Sequence, residues 1–370
     1  MKQCLTDKIT TVLQRVPVVA HLSRKKFVAR FIIALIKGRK VQFCEVAHHL
    51  NDAVKLASNE TRIQDFFRLA ALDYSALALL LVSLLPRGTK LRLCIDRTEW
   101  DFGKCQVNIL LVTVGCGDLQ WPLCWELLDN KSGNSNAEDR IRLLDFCLQV
   151  LGSQRIGWVV GDREFVGQRW FAYLKEKKVN FLMRVPKSHL LTDSRQQAWV
   201  VSALGLRPGQ SRAWSTCQVD GVWGQACVTA LAGGEYLFLF GTVRAQLMGQ
   251  LYRKRWTIEQ CFQNLKGRGF DLRSSHLQCR DKLKKLLALA SLAYAFCLSL
   301  GNHQHRKVQA IATKKHGRKS TSFSRHGLDL IREITRPGHN ALLQWTTRLE
   351  VLMRWVLSQV VHLQQTKIVG

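Results

Sequence analysis

The sequence predicts an α/β protein: a mixed-sheet core, interrupted by a β-rich insertion subdomain, between helical N- and C-terminal regions. Three observations carry this. Between residues 89 and 187, apolar runs of strand length alternate with amphipathic stretches of helix length, the rhythm of strands and helices sharing one sheet. Residues 188–243 break that rhythm with glycines, tryptophans and short β-like runs. Residues 1–88 and 244–370 carry apolar residues mostly at helical spacing.

Residues 1–88 read as a basic helical region, with helices over 25–37, 41–50 and 61–72. Thr61 followed by Gln64 is a capping-box spacing, which places a helix start at Thr61. Ile63, Phe66, Phe67 and Ala70 form its apolar face and leave Arg62 and Arg68 to solvent. A helix, a short turn at Asn51-Asp52 and a capped helix have the shape of a small DNA-binding unit with Arg62 and Arg68 on its contact face. An ordinary bundle with its arginines in water fits the same pattern. Leu77 to Leu85 is another apolar helix, and Pro86-Arg87-Gly88 marks a boundary.

The first part of the core, 89–187, opens on a buried strand over 91–95 that ends in Asp96. Strands over 107–114 and 119–128 follow, then a polar loop over 130–136 and an amphipathic helix over 137–151. A strand over 157–161 ends in Asp162; a helix over 168–175 and a strand over 179–185 complete the run. The insertion, 188–243, holds Trp199, Trp214 and Trp223 and strand-like runs over 226–231 and 236–240.

From 244 the chain returns to helix. Leu286 to Leu300 is the most apolar run and is shorter than the roughly 18 residues of a spanning helix, so it reads as a buried core helix. Residues 301–370 form a basic helical C-terminal region, in which 306–325 reads as a mobile connector able to touch phosphates or to lie solvated.

The 55 Lys and Arg against 27 Asp and Glu leave a net charge of +28. That balance points to a polyanionic partner, nucleic acid before an anionic membrane. None of the 12 cysteines forms a C-x-x-C pair, and most lie in apolar stretches, as buried thiols of a reducing cytosol do. Cys116 and Cys124 with His303 and His305 have no closed zinc-site spacing. Met1-Lys2-Gln3-Cys4 leads into mixed polar sequence, so no targeting segment is expected.

Tyr252, Arg255, Glu259 and Lys266 follow the spacing Y-x2-R-x3-E-x6-K. At about 100° per residue of α-helix they fall at roughly 0°, −60°, −20° and −40°, on one narrow stripe. Ile258, Phe262 and Leu265 form a separate apolar face. A stripe of phenol, two cations and a carboxylate suits phosphate gripping by Tyr252, Arg255 and Lys266 and metal binding by Glu259. Asp96 and Asp162, each ending a buried strand, lie where α/β sheets place their sites. Three converging acids match what two divalent ions need for in-line displacement at phosphorus, and hard oxygen ligands favour Mg²⁺ or Mn²⁺.

These residues carry a resemblance. Asp96-Arg97-Thr98-Glu99-Trp100, Gly161-Asp162-Arg163-Glu164-Phe165 and Tyr252…Arg255…Glu259…Lys266 resemble the three signature regions of bacterial insertion-sequence transposases of the DDE class, in the group with the Y-R-E-K signature. The resemblance spans roughly residues 90–280 and implies an RNase H-like core with the insertion between Asp162 and Glu259. It implies that Asp96, Asp162 and Glu259 hold two metal ions. Water then attacks a DNA strand at the inverted-repeat element end, and the freed 3′-hydroxyl acts in later steps on target DNA. Tyr252, Arg255 and Lys266 would position phosphates, and a dimer would pair two ends. An aromatic stacking on a flipped base is expected in the insertion, from Trp199, Trp214 or Trp223. Trp100 and Trp256 read as packing residues. Glu164 reads equally as a positioning group or a surface acid. The protein is expected in a bacterial cytoplasm, at the nucleoid, without a membrane. A metal-dependent nuclease of another role and a non-catalytic DNA-binding regulator are the rival readings.

Overall fold

The computed structural model describes residues 5–86, 88–102, 105–129, 133–315 and 317–335. The expectation of helix across 336–370 lies outside them. Eleven α-helices and ten strands are described: α1 (Leu5–Arg15), α2 (Leu22–Gly38), α3 (Phe43–Leu50), α4 (Leu56–Leu69), α5 (Tyr74–Ser83), β1 (Leu91–Phe102), β2 (Cys105–Cys116), β3 (Leu119–Leu128), α6 (Ala137–Leu151), β4 (Ile156–Gly161), α7 (Gln168–Glu176), β5 (Phe181–Val185), β6 (Leu190–Asp193), β7 (Ala198–Val200), β8 (Ser211–Val219), β9 (Val222–Ala230), β10 (Tyr236–Gly241), α8 (Met248–Arg253), α9 (Trp256–Gln263), α10 (Arg280–Lys307) and α11 (Phe323–Ile334).

All ten strands join one sheet in the order β3-β2-β1-β4-β5-β10-β9-β8-β6-β7. β1, β4 and β5 are parallel neighbours, linked through α6 and α7, and every other pairing is antiparallel. The mixed sheet with helices at both ends is the RNase H-like α/β architecture expected from the sequence. The insertion strands extend this sheet, because β10 pairs with β5 and passes its free edge to β9.

Side-chain alternation along β1 assigns the two faces. Arg92 reaches Thr257 of α9, and Asp96 lies on that same face. Arg97 points the other way, toward the loop that leads into α6. In β3 the register against β2 shifts by one residue between Val112 and Thr113. That bulge lets Gln120 face α9 while Cys124 meets Cys147 of α6, although both are even-numbered. β3 is almost wholly buried, covered on both faces.

α10 is long and apolar enough by composition to cross a membrane, yet its apolar stretch is buried inside the protein between β3, α2 and α11. The buried-helix expectation therefore stands. Gly301 and Gly327 set the α10–α11 crossing: a Cβ on either would strike the backbone of the opposite helix, at Phe323 and Cys297 respectively.

Four local expectations are corrected. α4 begins at Leu56, five residues before Thr61, whose hydroxyl bonds back to the Ala57 carbonyl and caps nothing. Asn59 instead secures this helix start, donating from a buried amide to the carbonyls of Ala47 and Asn51. β1 does not end at Asp96 but runs on to Phe102, because β2 continues to supply backbone partners. The connector over 306–325 is folded in part: α10 reaches Lys307, Thr313 bridges Lys319, and α11 starts at Phe323. The stretch 252–266 is not one helix. The amides of Lys254, Arg255, Thr257 and Ile258 bond only three residues back, and a π-turn over Asn264–Arg268 loosens the far end. The Thr257 hydroxyl takes the Lys254 carbonyl, and Gly267 and Gly269 weaken the downstream helix.

Candidate active site

β1 and β4 run parallel in a register that pairs Leu93 with Val159 and Cys94 with Val160. Two residues further along, Asp96 and Asp162 lie side by side where β4 stops, with strands about 4.8 Å apart. Gly161 has no room for a side chain, since a Cβ there would lie 2.7 Å from Met183 Sδ and 2.9 Å from Phe165 Cβ. The chain folds tightly over it: Phe165 donates its amide to the Asp162 carbonyl at 3.0 Å, and Glu164 donates to Asp162 Oδ1 at 3.3 Å.

α9 brings the third acid. Arg255, at the turn between α8 and α9, donates to Asp96 Oδ2 at 3.1 Å and to Glu259 Oε1 at 2.6 Å. The guanidinium thus stands between the sheet acid and the helix acid, with Asp162 in its electrostatic field as well. Among the described residues no three acids, histidines or cysteines are gathered as a metal cage. Burial pushes the Asp96 carboxyl up to about 6; Arg255 and the Arg97 amide pull against this, while Asp162 and Glu164 add to it.

On the opposite face of β1 lies a second charge network that sequence reading did not assemble. Arg97 donates to Glu164 Oε2 at 2.9 Å and pairs with Glu99 Oε1 at 2.5 Å. Glu164 Oε1 accepts the amide and the hydroxyl of Ser135, both at 2.8 Å. Glu164 is therefore a positioning group, not a surface acid. The network ties β1 to the turn after Asp162 and to the entry of α6. Its sequence signal is the alternation of charges along Asp96-Arg97-Thr98-Glu99, a pattern foreign to a buried strand.

Of the residues assigned to phosphates, Tyr252 is half-buried beside Leu182, Leu239 and Met248, and its buried hydroxyl has no hydrogen-bond partner. Burial raises its pKa. Lys266 lies 3.4 Å from the Glu99 carbonyl and 5.7 Å above the ring of Trp100. Arg62 lines an N-terminal cavity of about 460 Å³ with Arg24, Lys26 and Arg30. Arg68 is exposed and paired with Asp65 at 2.6 Å.

The tryptophans divide clearly. Trp100 is buried, as expected. Trp256 is 58% exposed and corrects the expectation that it packs, since α9 turns it outward. Trp199 and Trp214 are bound together by Arg212, which lies 4.0 Å and 5.0 Å from their ring centres, whereas Trp223 remains exposed. Beside Trp256 opens a polar groove of about 810 Å³, lined by Arg253, Lys254, Gln260 and Gln263 from the α8–α9 segment and by Lys319 and Arg325 across from it.

Residues 126–296 match the family model described as the transposase DDE domain. The match runs from the end of β3 into α10, includes Asp162, Glu164 and the whole Tyr252–Lys266 stretch, and begins after Asp96. The match supports a DDE-class transposase, and that family implies a metal-dependent enzyme of DNA cleavage and strand transfer. No curated protein matches the chain.

The raised carboxyl of Asp96 sets a stability prediction. In the metal-free folded protein this group holds a proton more tightly than in the unfolded chain. Its favourable contribution is complete below its ordinary pKa and is lost as pH rises through about 6. In chelator, the melting temperature of wild type relative to Asp96→Asn should fall as pH rises through about 6. A gap independent of pH in thermal melts would contradict the assigned burial.

Proposed function

We propose that the protein binds the inverted-repeat ends of its own insertion sequence, cleaves them, and joins them to target DNA. In this reading Asp96, Asp162 and Glu259 hold two divalent ions, Mg²⁺ or Mn²⁺. The observation that carries it is the bridge from Asp96 through Arg255 to Glu259, which unites the sheet and the helix beside Asp162. The donor set fits such ions: all three are hard oxygen donors, and Asp96 is a buried carboxylate that one guanidinium offsets incompletely. Bound there, divalent ions supply an activated water and charge neutralisation at phosphorus.

The chain's own residues do the rest. The Arg97–Glu164–Ser135 network ties β1 to the turn that follows Asp162, which would keep the two strand acids in register when DNA arrives. Lys266, over Trp100 and 3.4 Å from the Glu99 carbonyl, would present its ammonium to a phosphate of the cleaved strand. Tyr252 would donate to the same strand after a shift that uncovers its buried hydroxyl. The groove beside α9 carries Arg253, Lys254, Lys319 and Arg325 for the backbone of the flanking duplex. Arg62 with Arg24, Lys26 and Arg30 supplies a second basic surface, and Arg68 extends it. Trp223 and Trp256 are the exposed indoles available to an unstacked base. Two chains would act together on paired ends, in the cytoplasm at the nucleoid.

Two outcomes test this. With DNA carrying the inverted repeats that flank the reading frame, wild type should cut at the repeat tips in Mg²⁺ and not in chelator. Glu259→Gln should lose cutting by at least about a hundredfold while binding DNA nearly as wild type does. Binding and cutting lost together would contradict the role of Glu259. Lys319→Ala should leave the cut position unchanged but lower the slope of log affinity against log salt by about 0.9, one phosphate contact. An unchanged slope in anisotropy titrations would remove the groove from the DNA path.

A further inference from the structure

Arg255 is the most confined cation of the site. Its side chain is 14% exposed and divides its donors between Asp96 at 3.1 Å and Glu259 at 2.6 Å. Burial opposes its charge, and the carboxylates of Asp96, Asp162 and Glu259 favour it. Both of its carboxylate partners belong to the group read above as divalent-ion ligands, and the inference rests on that reading.

We propose that Arg255 is a resident counter-cation that holds the carboxylate site together when no divalent ion is bound, and that it moves to a DNA phosphate once the carboxylates are taken. Three acids in a partly desolvated cleft repel one another strongly unless a cation stands among them. The guanidinium supplies that charge, and its planar fork reaches an oxygen on the sheet and an oxygen on α9 at once. Those oxygens cannot serve Arg255 and a divalent ion in the same arrangement, so the two compete. Displaced from the acids, Arg255 carries a full charge and five donors at the mouth of the site, a match for a phosphate. The turn at Lys254–Arg255, wound tightly between two short helices, lets the side chain swing without moving a long helix.

Reciprocity follows: divalent ion and DNA each favour the released Arg255, so each tightens the binding of the other. A purely structural clamp has the opposite signature, because its loss would scatter the acids and weaken ion binding.

The test is Mn²⁺ binding to the full-length protein without DNA, followed by the paramagnetic resonance of free Mn²⁺. Arg255→Gln should bind Mn²⁺ about tenfold tighter than wild type, and Arg255→Lys, which keeps the charge, should stay near wild type. Tighter binding by both variants, or weaker or unchanged binding by Arg255→Gln, would overturn the counter-cation role and leave the proposed function standing. No Mn²⁺ bound by wild type or by either variant would overturn both together. A second arm reads DNA affinity by fluorescence anisotropy on an inverted-repeat duplex. Arg255→Gln should lose about tenfold in Ca²⁺ and nothing in chelator. An equal loss in both conditions would overturn the coupling.

Discussion

A guanidinium placed between carboxylates from two distant parts of the chain is the interaction on which the site depends. Arg255 and Asp96 are 159 residues apart in sequence, and their contact fixes α9 against the exposed end of the parallel β1–β4 pair. Repulsion among Asp96, Asp162 and Glu259 would otherwise push the helix away from the sheet. The same guanidinium holds Glu259, while Ile258, Cys261 and Phe262 seat α9 in the apolar core.

The sheet makes the same point from its other face. Arg97 and Glu164 form a little-exposed ion pair behind the acids, anchored to the Ser135 backbone at the entry to α6. Alternation in β1 therefore separates two contacts by a single residue: Asp96 faces α9, and Arg97 faces Glu164 and the entry to α6. Charge on both faces of one strand is costly inside a core, and here each charge meets a partner.

Much of this was legible in sequence because it is periodic or local. β3 and α6 were read to their final residues, and the strand acids and the Glu259 spacing were visible as patterns. What was not legible depends on tertiary competition. The capping signal at Thr61 was a back-bonding hydroxyl inside a longer helix, whose real start is secured by Asn59 across a turn. The single-helix reading of 252–266 missed the tight turn at Arg255, since no composition rule reports that a side chain is drawn toward a carboxylate on another element. Glu164 looked like either of two things until its partners, Arg97 and Ser135, came from 67 and 29 residues away. Trp256 was misread because an aromatic beside an apolar helix face resembles core, whereas the break before α9 turns it outward.

The central claim is that the acids of this site work by holding divalent ions. The most direct measurement replaces Asp162 with Cys and compares strand cleavage in Mg²⁺ and in Mn²⁺. A thiolate is a poor ligand for Mg²⁺ and a better one for Mn²⁺. The account predicts cleavage lost in Mg²⁺ and regained in Mn²⁺, with DNA binding unchanged in both. Full cleavage in Mg²⁺, or none in either ion while DNA binding persists, would contradict it.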